Sequence, residues 1–150
     1  MSVMPRAFAV LIFVLLGVQN APGADLSPVG RWWTISSKTN AVTGVVEITQ
    51  SGDELVGKVV KLIPQPGDPV DPVCKKCDGP EKGQHVLGMT ILKGFKRDGD
   101  EWDGGTILDP RTGNVYSSEM HVDPGGEKLF LRGYIGISLL GRTETWLREK

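Results

Sequence analysis

The chain of 150 residues carries 17 Lys and Arg against 18 Asp and Glu, a net charge of −1, and two cysteines. That length suits one domain, and the even charge balance with no basic block excludes nucleic acid as an expected partner. Two cysteines exclude a fold that depends on a disulfide framework, and a chain of this size buries enough core to stand without one.

In chain order, the first segment reads as a leader. Arg6 is a basic start, Ala7 to Val18 is a short apolar core, and Ala21-Pro22-Gly23-Ala24 supplies small residues for cleavage. A signal peptide over residues 1–23 is expected, cut after Gly23 or Ala24, leaving 24–150 as a single domain; a retained anchor is the alternative. The apolar run is shorter than the roughly 20 residues a helix needs to cross a bilayer. No later segment has the length and apolarity of a membrane helix, so no integral membrane segment is expected after removal of the leader. No cysteine follows the small residues, which speaks against a lipid-anchored start. The compartment expected from such a leader is the bacterial periplasm or the secreted fluid.

Beyond the leader, strand patterns recur with turn residues between them. Arg31 to Ser36 is the first, Val42 to Gln50 the second and Glu54 to Ile63 the third. Gly88 to Phe95 follows a long loop, and Glu101 to Leu108 comes after the turn Arg97-Asp98-Gly99-Asp100. Asn114 to Val122, Glu127 to Ile135 and Arg142 to Leu147 complete the set. About eight closely spaced strands and no long helical period predict an all-β domain, an antiparallel barrel or sandwich. Gly30-Arg31-Trp32 on the first strand and Trp146-Leu147-Arg148 on the last point toward the barrel. An Arg can stack on that indole only if first and last strands are neighbours, which closes the sheet into a small barrel. Gly30, Trp32, Trp146 and Arg148 are therefore the expected closure residues, with Arg142 as the alternative cation. Gly57, Gly104, Gly105 and Gly133 fall inside strand patterns and are expected at bulges or bends. Ile137 to Leu140, between Gly136 and Gly141, is expected as a helical turn or apolar loop that caps one end.

Pro64 to His85 is the one long stretch without a period; it holds five prolines, three glycines and both cysteines. In an oxidising compartment Cys74 and Cys77 are expected to form a local, structural disulfide. Lys75 and Lys76 could lower a thiolate pKa, so thiol–disulfide exchange stays open as a further reading. With His85 and His121 far apart in sequence, no spacing resembles a zinc site, and neither a metal nor a cofactor is expected. Asp103 with Asp109, and Asp98 with Asp100, are the acidic pairs; each sits beside ordinary turn chemistry. No nucleophile elbow or phosphate loop is present, and the expectation is a non-enzyme.

Gly88-Met89-Thr90-Ile91-Leu92, Trp102-Asp103-Gly104-Gly105, Asp109-Pro110, Gly113 and Tyr116 form one pattern with Arg132-Gly133-Tyr134-Ile135-Gly136. The ending Gly141-Arg142-Thr143-Glu144-Thr145-Trp146 completes it. Over nearly all of the mature chain these residues resemble the bacterial family known as domain of unknown function 2147. The resemblance implies exported bacterial proteins with a lipocalin-like barrel and no established enzymatic activity. Trp33 doubles the indole of the lipocalin Gly-x-Trp, and the strands are shorter than in typical lipocalins.

The functional expectation is a small amphipathic or apolar ligand, such as a fatty acid, bound in a barrel in the cell envelope. Phe130, Arg132 and Tyr134 share one parity, so an inward-facing Arg132 would meet an acidic head group, or else pair with Glu119 or Glu144. Leu139 and Leu140 complete this candidate site as a gate. The rival expectation is an interaction module whose barrel is filled by its own side chains.

Overall fold

The computed structural model describes residues 26–150; the leader expected at 1–23 lies outside the described residues. Eight antiparallel strands follow one another around a closed barrel: β1 (Gly30–Ile35), β2 (Val42–Ser51), β3 (Glu54–Leu62), β4 (Thr90–Asp98), β5 (Glu101–Leu108), β6 (Val115–Val122), β7 (Lys128–Tyr134) and β8 (Arg142–Arg148). The seam joins β1 to β8, with Trp32 opposite Arg148 and Trp33 opposite Leu147. No helix among the described residues is long and apolar enough to cross a membrane.

Side chains alternate between the two faces of each strand. Trp32, Val46, Ile48, Leu55, Phe95, Met120, Leu129, Leu131 and Trp146 are all buried and belong to one hydrophobic cluster. Two glycines show how tight it is. A Cβ on Gly57 would lie 2.7 Å from Leu92 Cδ1, and one on Gly105 would lie 2.4 Å from the Phe95 ring. Each glycine is thus a recess into which a neighbour's large side chain fits. Gly104, at φ 71°, is the bend beside that recess, where the β5–β6 register shifts. Gly133, expected to bend its strand, instead lies in regular pairing with Ser118 and Arg142.

The turns Ser51–Glu54, Asp98–Glu101 and Val122–Lys128 gather at one end of the barrel, together with residues 26–29. The other end carries the connections 36–41, 63–89, 109–114 and 135–141. On the outer wall, Trp33 and Lys61 flank Val45 across the sheet. The Lys61 ammonium sits 5.0 Å over the Trp33 ring, and Val45 is fully buried although it faces outward.

Candidate functional site

At the closed end, Arg148 lies 4.2 Å over the Trp32 ring. Its guanidinium donates to the carbonyls of Gly126, Val29 (3.2 Å) and Ser27 (2.9 Å), while Trp32 Nε1 donates to Pro28 at 2.8 Å. One planar fork therefore ties the last strand, the β6–β7 turn and the segment entering β1, which a point-charge ammonium cannot do. Gly30 sits at φ 134°, and a Cβ there would meet Arg148 Nη1 at 3.1 Å. Trp146 is buried, and its Nε1 donates to Glu144 at 3.1 Å. Arg142 is exposed at the opposite end of β8. The seal is thus formed by Arg148.

The other candidate residues are placed differently from the sequence expectation. Leu129 and Leu131 are buried in the interior, so the alternation of β7 sends Phe130, Arg132 and Tyr134 to the outer wall. Phe130 packs against the His121 ring there, with centroids 5.0 Å apart. Partial burial, and then the charges of Asp103 and Glu119, push the Tyr134 hydroxyl up from its ordinary value. An interior site anchored by Arg132 is accordingly not what the fold builds: strand parity turns the guanidinium outward, and apolar side chains occupy the centre.

Arg132 does meet the 137–140 segment, but on the outside. Ser138–Leu140 is a 3-10 turn. Arg132 Nε donates to the Ser138 carbonyl at 2.7 Å, Nη2 to the Leu139 carbonyl at 3.3 Å and Nη1 to Thr143 Oγ1 at 2.9 Å. Glu119, directly across the strand pair from Arg132, accepts the Ser138 hydroxyl. The partners of Arg132 are therefore the backbone of the turn and the Thr143 hydroxyl, and neither Glu119 nor Glu144 takes the role expected of it. Leu139 and Leu140, expected to gate an interior, are 82% and 76% exposed.

The long connection forms a strap. Cys74 and Cys77 are disulfide-bonded. Backbone hydrogen bonds from Cys74 to Gln84, Gly83 to Cys74 and Val86 to Pro72 fold the strap on itself, and Gly88 with Met89 pairs it to Val59 of β3. Both cysteines are buried and belong to the same hydrophobic cluster as Met89, Ile91 and Leu108. Gly113 permits that docking: its φ is 75°, and a Cβ would lie 2.0 Å from the Lys76 carbonyl oxygen. Sequence reasoning singled out the cysteines and named Gly113 only within the family pattern; its contact with Lys76 was missed, because it joins segments 37 residues apart with no local pattern.

Thiol exchange requires a sulfur open to in-line attack. Cys74 is 0% and Cys77 2% exposed, so the bridge reads as structural. Loop-entropy arithmetic for so short a bridge gives about 2 kcal/mol. Reducing the bridge should therefore lower stability by no more than about 2 kcal/mol. Hydrogen exchange should quicken at the amides of Cys74, Gly83 and Val86 while the barrel amides stay protected. Equal loss of protection in the barrel would show instead that the strap and barrel unfold as one.

Two hollows lie where the strap meets the outer wall. One, of about 220 Å³, is lined by Cys77, Asp78, Glu81, Ile91, Lys93, Thr106, Leu108, Gly113 and Val115. The other, of about 380 Å³, adjoins it across Glu81 and Lys93. These two side chains are paired at 2.8 Å; that hydrogen bond holds the Glu81 carboxyl below its usual range. The first hollow is smaller than the roughly 300 Å³ at which pockets for drug-sized ligands begin; Lys93, which lines both, is paired with Glu81, and Lys58 lines the second as well.

Residues 30–148 match a bacterial family described as an uncharacterized protein conserved in bacteria, DUF2147. The chain belongs to this family. The matched span runs from Gly30 to Arg148, the two residues that meet at the closed end, so the DUF2147 unit here is the closed barrel itself. Protein HP1028 from the human pathogen Helicobacter pylori, described as belonging to the lipocalin family, is similar in structure. Its TM-score is 0.71 at 16% identity, over 83% of this chain and 84% of that one. At that identity the likeness shows the fold, and the DUF2147 barrel is lipocalin-like. No curated protein matches the sequence.

Within the DUF2147 barrel Asp103 and Asp109, one of the expected acidic pairs, each accept hydrogen bonds from a neighbouring residue. Asp103 Oδ1 accepts the Gly104 amide at 2.6 Å. Burial raises the Asp109 pKa, but hydrogen bonds from the Arg111 side chain and backbone, with its charge, outweigh this and hold the carboxyl below its usual range. His85 Nδ1 lies 2.9 Å from Asp71. Among the described residues no three His, Cys, Asp or Glu side chains gather as a metal set.

Proposed function

We propose that this protein is a non-enzymatic module of the bacterial cell envelope that acts through its outer surface. The observation that carries the reading is the filled interior, in which Leu92 and Phe95 occupy the recesses over Gly57 and Gly105. An eight-stranded barrel is just wide enough either to be filled by side chains or to hold one small ligand, and side chains take the space here. The expected leader and the disulfide support a place outside the cytoplasm. The lipocalin-like fold supports a small-ligand reading as the rival, and one assay separates the two. A fluorescent fatty acid titrated into the wild-type protein should show no saturable binding. Phe95→Ala, which empties the space over Gly105, should gain binding, as engineered apolar cavities do. Saturable binding to the wild type, displaced by palmitate, would overturn the outer-surface reading and restore an interior ligand.

A further inference from the structure

The connection between β7 and β8 is the place where this barrel exposes aliphatic surface in a concentrated form. Ile135, Ile137, Leu139 and Leu140 are 74%, 58%, 82% and 76% exposed within six residues. Residues 135–141 read Ile-Gly-Ile-Ser-Leu-Leu-Gly, with no charged side chain among them. The segment is also held in shape. Its Ser138 carbonyl accepts from Arg132 Nε and the Gly141 amide, the Leu139 carbonyl accepts from Arg132 Nη2, and the Ile137 carbonyl accepts from the Leu140 amide. Scattered surface aliphatics need no explanation, but a contiguous patch on a pinned scaffold marks an interaction site.

The occupant follows from size, backbone and charge. One loop of four aliphatics offers about half of the roughly 800 Å² per partner that a stable protein–protein interface takes, so a second copy is poorly served. A lipid surface accepts a small convex tip, provided that backbone carbonyls carried toward the acyl chains are already hydrogen-bonded. Three successive carbonyls, those of Ile137, Ser138 and Leu139, meet that condition without water. Arg142 is exposed immediately after the tip, and Arg132 lies beneath it. Long cationic side chains at that level extend to phosphates while the aliphatics go deeper. The acidic neighbours each accept a hydrogen bond: Glu119 from the Ser138 hydroxyl, Glu144 from Trp146 Nε1 and Asp103, near Tyr134, from the Gly104 amide.

We propose that the 135–141 tip, with Ile137, Leu139 and Leu140 inserted and Arg142 at head-group level, docks this barrel on an anionic lipid surface. The proposal rests on the outer-surface reading and names the surface and its partner. It is tested by co-sedimentation of the full-length mature protein with vesicles of phosphatidylcholine and phosphatidylglycerol. Wild type should pellet with the vesicles, and Leu139→Ser with Leu140→Ser should reduce the apparent affinity at least about tenfold. These side chains are exposed, so the thermal midpoint of the variant should be unchanged, which separates lost docking from lost folding. Arg142→Glu should weaken binding to the mixed vesicles more than to pure phosphatidylcholine. No vesicle binding by the wild type, or equal binding by the double variant, overturns the tip proposal. A concentration-dependent dimer that the double variant abolishes, without vesicle binding, overturns it in favour of a second copy. Absence of both vesicle and fatty-acid binding sinks the lipid tip alone, whereas an interior ligand is detected by the fatty-acid assay independently.

Discussion

Arg148→Ala should lower the stability of the barrel by about 3–4 kcal/mol, a loss built from several charged hydrogen bonds and one partly desolvated cation–π contact. The guanidinium is stacked 4.2 Å over Trp32 and donates to Gly126, Val29 and Ser27. Its removal strips donors from carbonyls on two chain segments and uncovers an indole that is otherwise fully buried. For a domain of this size the loss corresponds to a fall in Tm of about 10–15 °C. Arg148→Lys keeps a cation but not the fork, so it should recover only part of the difference. Arg142→Ala, on an exposed side chain of the same strand, should stay within about 0.5 kcal/mol of wild type. Thermal and denaturant unfolding of the three variants checks this. A midpoint for Arg148→Ala within about 2 °C of wild type would remove Arg148 from the seal.

That seal was legible in the sequence because it rests on two local signatures whose meeting implies closure. Gly30-Arg31-Trp32 and Trp146-Leu147-Arg148 each mark a strand, and stacking between them admits only one topology. The strands themselves were legible because period-two alternation and turn residues are local signals. The functional residues were less so, and strand parity is the reason. Phe130, Arg132 and Tyr134 were correctly placed on one face, but a strand with aliphatics on one side and aromatics with a cation on the other does not declare which side is the core. Leu129 and Leu131 take the interior here because Met120 and Trp146 stand opposite them in register. The disulfide was legible from its spacing and setting. What the strap packs on was not, since the recess at Gly113 that receives Lys76 exists only in three dimensions. Phe95 ended a predicted strand without any mark of its central place.

Phe95 is the side chain on which the packed interior can be tested most sharply. Gly105→Ala would place a methyl 2.4 Å from the Phe95 ring, far inside contact distance, and the ring has no free end to swing away because it is 0% exposed. Overpacking of this kind should cost about 3 kcal/mol, at the upper end of what inserted methyl groups do in well-packed cores. Phe95→Ala alone should cost about 3–5 kcal/mol through lost burial and the cavity it leaves. The double variant should then be more stable than the sum of the two single changes, because the new methyl enters the space the ring has vacated. A coupling energy of about 2 kcal/mol in that direction is expected for two groups in direct contact. Gly57→Ala serves as the comparison: its clash is with Leu92, so its cost should add to that of Phe95→Ala with little coupling. Urea unfolding of the two double-mutant cycles gives both energies. Strict additivity for Gly105 with Phe95 would mean that the ring does not fill the recess, and a barrel with that much slack at its centre would have room for a ligand.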